Sequence, residues 1–461
     1  MPMDTVEVGA KESALGIDRF NFAIVASVIV FCTAGGFINL ASPPSVYIST
    51  LAIDGFYLLM FAGMGIAFFR THAPAKIDPW MLCLLAVIVI YSSLSIQGTE
   101  PIGLRLRAVR NVALYATIAV FVTTSIRRRD HQQRLLQLAL NLSTVIALFG
   151  IVQYLVGQSL PAILQSTREF DAFSYSGTDI LRSNGLVGNT IVYGHFLCLP
   201  FAIALSKLLS RFAWPDIIRA AVIAVAILTT FSRSAITGAV IIVIAAAVTL
   251  YARRGASNLL ILTAVGAALV ALATTTILAS ETLYDSVSNS FIVRDLFLSE
   301  NPSVGNSNQG HTVLIDVAMS SFAQNPWLGL GVGSQNIDSN LASSGTFVAV
   351  DGVAWAILVE GGLLLAVAYI SLVATAVTAA VRELGHSREQ DYLIIGFLTF
   401  SLFQFGLSVF INSGYAGKTP FIMYWIFFGL IMAARRTRLD ELASHRGAPT
   451  RVPTQQVQGI K

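Results

Sequence analysis

Charge is scarce in this sequence. Lys and Arg number 29 and Asp and Glu 25, only 12% of 461 residues, about half the share found in an ordinary soluble domain. So small a complement excludes a water-solvated surface along most of the chain. Cysteine is scarcer still. Cys32, Cys83 and Cys198 each sit inside an apolar run, which excludes a disulfide framework and a cysteine-based metal site. The six histidines form no grouping with Asp or Glu at metal-ligand spacing, so neither a metal nor any other cofactor is expected. Long polar stretches are rare too, with one exception between about 281 and 350.

What fills the chain is apolar sequence. Hydrophobic residues make up 55% of it and the mean hydropathy is +0.71. Runs of about 20 apolar residues recur, each long enough to span a bilayer. The expected fold is an all-α polytopic membrane protein of about twelve helices with a large, partly helical outer loop. The spans read as 20–40, 48–69, 79–96, 111–126, 135–157, 188–206, 216–231, 234–251, 258–280, 350–378, 391–411 and 419–434. Basic residues set the orientation. With the N-terminus inside, only Arg105, Arg107, Arg110, Arg168, Arg182, Arg233, Arg294 and Lys418 of the 29 fall outside. Both termini are therefore expected in the cytoplasm, and the pI near 9.0 reflects topology rather than nucleic-acid binding. The first nineteen residues carry four acids, so no cleavable signal peptide is expected. The division that follows is 1–19, a cytoplasmic N-terminus; 20–280, spans one to nine; 281–350, the large outer loop; 351–434, spans ten to twelve; and 435–461, a disordered tail.

The outer loop holds a short helical-looking piece from His311 to Met319, then Asn325-Pro-Trp-Leu-Gly-Leu-Gly-Val-Gly-Ser334. Loops this long are usually functional or disordered, and Phe291, Phe297, Trp327 and Phe347 favour a folded one. A second outward loop, about 157–187, is expected to partner it. Gly329-Leu-Gly-Leu-Gly333 lacks the spacing of a dinucleotide fingerprint and reads as a close-packed turn. His311 is either a substrate contact or structural.

Several charged residues sit where charge is costly. Arg233, in Thr230-Phe-Ser-Arg-Ser-Ala235, joins two apolar runs with no real loop between them. It either snorkels to headgroups or holds an anion. Arg182, in Leu181-Arg-Ser-Asn-Gly-Leu-Val-Gly-Asn189, can grip a phosphate bidentately, or it belongs to a structural turn. Arg105, Arg107 and Arg110 lie in the loop between the third and fourth spans, as a solvated face or as an anion contact. Asp351 stands at the start of the tenth span, where it can cap the helix or act as a general base. Glu360 lies nine residues further, about 13 Å along a helix, inside the bilayer. There it must pair or be protonated.

Taken together these pieces resemble the O-antigen ligase / Wzy-type polysaccharide polymerase superfamily. The resemblance covers roughly residues 180–435. It rests on Arg182-Ser-Asn-Gly with Gly188-Asn189, on Phe231-Ser-Arg-Ser-Ala, on Asn325-Pro-Trp-Leu-Gly-Leu-Gly-Val-Gly and on Val359-Glu-Gly-Gly-Leu-Leu. It implies a GT-C-like bundle in the bacterial inner membrane. That bundle would transfer glycan from an undecaprenyl-diphosphate-linked donor to a glycan acceptor at the periplasmic face, amid membrane lipid and without nucleic acid. Arg182 and Arg233 match the arginines that hold the lipid diphosphate. A chain-length regulator and a flippase are candidate partners. Two departures matter. Ligases carry a His-Asn pair nine residues before the Glu that matches Glu360, where this chain has Asp351-Gly352, and many members have Arg in place of His311. A polymerase is therefore expected before a ligase.

The expected chemistry is metal-free, inverting glycosyl transfer. Arg233, Asp351 and Glu360 are the candidate catalytic residues, and Arg182, His311, Arg105, Arg107 and Arg110 the candidate substrate-binding ones. The alternatives are ligation of finished glycan to lipid A-core or protein, and, in another class, a lipid-linked oligosaccharide flippase. A flippase needs cations deep in several spans, whereas the charges here sit at the outer edge.

Overall fold

The structure, a computed structural model, describes residues 4–40, 48–71, 77–97, 101–156, 160, 182–254, 302–334, 352–386, 388–408 and 418–447. Its regular elements are α1 (Asp4–Thr33), α2 (Gly35–Leu40), α3 (Ile48–Thr71), α4 (Pro79–Gln97), α5 (Ile102–Val112), α6 (Ile118–Ser125) and α7 (Arg129–Val156). They continue with α8 (Thr190–Ser210), α9 (Trp214–Thr229), α10 (Arg233–Arg254), α11 (Pro302–Gln324), α12 (Val353–Glu383), α13 (Arg388–Ser401) and α14 (Lys418–Gly447). A 3₁₀ turn, Leu114–Thr117, joins α5 to α6, and a π-helical turn, Leu402–Ser408, follows α13.

Helices lie on the described parts of the stretches read as spans; 258–280 is outside the described residues. Among the described residues six candidate spans are long and apolar enough to cross a membrane: Ile48–Gly65, Pro79–Ile96, Ile102–Ser125, Arg129–Val156, Thr190–Ser210 and Val353–Glu383. Their outward faces carry bare aliphatic side chains such as Leu58 (72% exposed), Leu85, Val145 and Val367. Exposed apolar side chains on helices of this length suit contact with lipid. The protein is an all-α, multi-pass membrane protein.

At its centre stands α14. From Phe421 to Ala434 almost every residue is buried, so this helix is apolar all round and wrapped by others. It packs on α6, α8, α12 and α13, while α8 is held between α9, α10 and α13.

Three expectations need correction. Arg105, Arg107 and Arg110 are not in a loop but on α5, because no proline separates Ile102 from the apolar run that follows. The tail is helical from 435 as far as Gly447. Ion pairs hold it there: Arg435 Nε reaches Glu383 Oε1 at 3.1 Å, Arg435 Nη1 reaches Asp78 Oδ1 at 3.2 Å, and Arg438 Nη2 reaches Glu383 Oε2 at 2.8 Å. The short helical piece around His311 is part of the 23-residue α11, which begins at a proline, a residue suited to the first helical position.

Candidate functional site

Arg233 is set by a turn of three residues between α9 and α10. Thr230 closes α9, and its Oγ1 accepts from Ser232 N at 3.1 Å. Phe231, buried against Tyr154, has a φ of 48°. Bulky residues rarely adopt that left-handed conformation, and it persists only where the surroundings over-determine it. Arg233 is the first residue of α10. A cation there adds to the positive end of the helix dipole, an arrangement that favours an anion in front of it.

A second helix begins beside it. Asn189 caps α8, its Oδ1 accepting from Ile191 N and Val192 N at 3.0 Å each. Gly194, in the first turns of α8, lets the two helices meet. A methyl group on it would lie 2.7 Å from Ala235 Cβ and 3.3 Å from Thr230 Oγ1. Two helix N-termini thus stand side by side, and with them the positive ends of two helix dipoles.

The 182–189 strap delivers Arg182 to the same place. Ser183 N donates to Thr229 O at 3.0 Å, and Arg182 Nε donates to Thr230 O at 2.9 Å. The strap so satisfies two carbonyls that the end of α9 would otherwise leave open. It is held from behind by Gln153 on α7, whose Nε2 donates to Gly185 O at 3.1 Å, and by α2, whose Gly36 N donates to Leu186 O at 2.8 Å. Arg182 and Arg233, 51 residues apart in number, are anchored on one turn.

Glu360 belongs to a different construction. Within α12 the helix breaks at Gly362, whose φ of 61° and ψ of −160° are not helical. The segment Pro326–Gly333 docks into the break. Leu330 N donates to Val359 O at 2.7 Å and Gly331 N to Glu360 O at 3.2 Å. In the other direction Leu363 N donates to Pro326 O at 2.8 Å and Leu364 N to Trp327 O at 3.3 Å. The backbone groups freed by the break are satisfied by the loop, as an interrupted membrane helix requires. The Glu360 carboxylate, 5% exposed, accepts from Tyr91 Oη on α4 and from Gly333 N at 3.2 Å. The glycine run is thus a close-packed turn. Gly333 lies against the backbone of Leu104 and Arg105, which brings α5 to the same wall.

The arginines of α5 divide. Arg105 donates through Nη1 to Ser95 O and, at 3.4 Å, to Ile96 O, closing the C-terminus of α4 where a cation is favourable. Arg110 pairs with Asp54 on α3 at 2.9 Å, and Tyr115 Oη takes the other carboxylate oxygen at 2.8 Å. Arg107 is exposed. His311 lies in α11, and its side chain is outside the described residues. Asp351 is outside them as well. The residue at the cap position of α12 is Gly352.

Asp54, Tyr91 and Gln153 bind these elements together and, like the buried His195 and Gln404, are not among the residues singled out from the sequence. The signal for three of them was there, a polar residue standing alone inside an apolar run.

The fold and these sites define a multi-pass membrane protein that presents two arginines and two helix N-termini at one turn and, in a separate construction, an interrupted helix held by a docked loop. Residues 219–370 match the family model for O-antigen ligase. That match runs from within α9 to the middle of α12 and supports the resemblance to the O-antigen ligase / Wzy-type superfamily. It is shorter than the stretch on which the resemblance rested. It includes Arg233, His311, Asp351 and Glu360, and leaves out Arg182 and the arginines of α5. None of the curated proteins compared matches the chain.

Proposed function

We propose that this protein polymerises undecaprenyl-diphosphate-linked oligosaccharide repeat units at the periplasmic face of the inner membrane. The observation that carries this reading is the anchoring of Arg182 and Arg233 on one turn beside the start of α8. Two guanidinium groups in front of two helix N-termini suit a diphosphate. A hydroxyl of the acceptor glycan attacks the anomeric carbon of the donor, and the bond from that carbon to the diphosphate oxygen breaks. The leaving lipid diphosphate gains charge, which the arginines stabilise, the largest lever available in such a site. Asp351 takes the hydroxyl proton. Glu360 holds the Pro326–Gly333 segment that walls the site, and His311 and the exposed Arg107 contact the glycan or its lipid phosphate. Direct displacement inverts the anomeric centre and needs no metal.

The second reading is ligation, and the description of the matched family favours it. Asp351-Gly352, where ligases carry His-Asn, favours the polymerase. The deciding experiment reconstitutes the purified protein with lipid-linked single repeats in EDTA. A ladder of lipid-linked polymer is expected. No reaction until lipid A-core is added would make it a ligase, and activity restored by Mg²⁺ or Mn²⁺ would overturn the metal-free mechanism. Under this proposal the chain crosses the membrane twelve times with both ends in the cytoplasm. Reporter fusions after Asp130 and after Ser321 are expected to report inside and outside respectively. The same side for both would overturn the topology.

A further inference from the structure

A line of polar groups runs inward from the turn that carries Arg233. Ser232 Oγ lies 3.2 Å from Ser234 Oγ, and Ser234 Oγ lies 3.0 Å from His195 Nε2. On the other side of the ring, His195 Nδ1 lies 3.2 Å from Gln404 Oε1. His195 and Gln404 are both 0% exposed. Neither belongs to the arginine cluster or to the wall formed at Glu360.

Burying an imidazole among apolar spans is costly unless both ring nitrogens are partnered, and here both are. The partners also set a direction. With Gln404 placed so that its amide oxygen faces the ring, Nδ1 is the ring nitrogen that carries the proton and Nε2 is the acceptor. Ser234 must then donate to Nε2, and Ser232 must donate to Ser234. Gln404 sits in the π-helical turn Leu402–Ser408, a distortion of the kind often kept at functional sites. The Nε2 of Gln404 is buried without a partner among the described residues. A merely structural amide would be expected to use both its ends. The far end of the line is the strained turn itself, since Ser232 follows Phe231 and its Oγ accepts from Ala235 N at 3.5 Å.

We propose that His195 is a positioning residue. Through Ser234 and Ser232 it fixes the first turn of α10, and with it the direction of the Arg233 guanidinium. It touches no substrate. This rests on the role given to Arg233 under the proposed function. Misdirecting Arg233 weakens its hold on charge that develops as the diphosphate leaves, so the effect falls on kcat and not on binding of the lipid.

The test is a coupling measurement on the reconstituted full-length protein with lipid-linked repeats. His195→Leu removes both ring bonds at similar volume and is expected to lower kcat about tenfold, with KM within about twofold. His195→Gln, whose amide oxygen can still accept from Ser234, is expected to recover most of that loss. Ser234→Ala cuts the link without touching the core, so it gives the same kcat loss even if His195→Leu does not fold. In an Arg233→Lys background each change is expected to cost less than about threefold, because residues acting as a unit are not additive. Equal losses in both backgrounds, or normal kcat for Ser234→Ala, would overturn the positioning role. Full activity of Arg233→Lys alone would instead overturn the role of Arg233.

Discussion

Arg233→Lys is expected to lower kcat by about 10²-fold or more, the scale seen when one charge-stabilising donor is removed. Lysine keeps the charge but loses the planar fork that matches two phosphate oxygens. The position makes that loss severe. Arg233 opens α10 directly after a left-handed Phe231, so its backbone direction is fixed. Arg182, its companion, is tied through Nε to Thr230 O and cannot swing over to replace it. A flexible ammonium in place of Arg233 would stay hydrated and would not meet the same oxygens. The measurement is initial rate against lipid-linked repeat in proteoliposomes, with protein amount checked by quantitative blot. Arg129→Lys, in an exposed pair with Glu441, serves as the control and is expected to stay within about twofold, since such pairs contribute little. A rate for Arg233→Lys within threefold of the unaltered protein would remove Arg233 from the chemistry and leave it as a snorkelling side chain.

How much of this arrangement was legible in the sequence depends on how local its cause is. Apolar runs declare themselves residue by residue, so the helices fall where hydropathy puts them. Arg182 and Arg233 were each legible, as cations where a bilayer makes charge costly. That they share a turn was not, because it follows from Ser183 N meeting Thr229 O, a pairing with no trace in the local pattern. The break in α12 was hidden for a similar reason. Val359-Glu-Gly-Gly-Leu-Leu reads as a continuing apolar run, since glycine alone does not end a membrane helix. What opens it is a segment some thirty residues away, Pro326–Gly333, that supplies the missing hydrogen bonds. Charge misled in the other direction. The arginines of α5 and of the C-terminal tail read as loop and disorder, yet Ser95 O, Asp54, Glu383 and Asp78 give them helical places. His195 and Gln404 stand singly in apolar runs, and a lone polar residue does not announce its partner.

The break in α12 carries the other large effect. Gly362→Ala is expected to abolish transfer and to release the Pro326–Gly333 segment from the bundle. A backbone at φ 61° and ψ −160° is essentially closed to residues with a side chain and costs about 1–3 kcal/mol where one is forced into it. The space is closed too. A methyl group on Gly362 would overlap the Trp327 carbonyl carbon and Leu328 N, and one on Gly329 would overlap the backbone at Val359 and Glu360. Overpacking of this kind adds about 1–3 kcal/mol, and here the colliding atoms are backbone that cannot rotate away. Relief requires the helix to close over the break, which discards all four backbone hydrogen bonds to the loop. Limited proteolysis in detergent, read at the 326–333 segment, is expected to show cleavage in Gly362→Ala and protection in the unaltered protein. Glu360→Gln is the companion that separates a general effect of the wall from proton transfer by Glu360. Glutamine can keep the bond from Gly333 N through its oxygen and reverse the bond with Tyr91 through its nitrogen. It is therefore expected to stay protected and to retain activity within about threefold, since a hydrogen bond preserved in kind contributes about what it did before. A protected but inactive Glu360→Gln would make Glu360 the base instead of Asp351, and an active, protected Gly362→Ala would show that the docked loop is not needed for transfer.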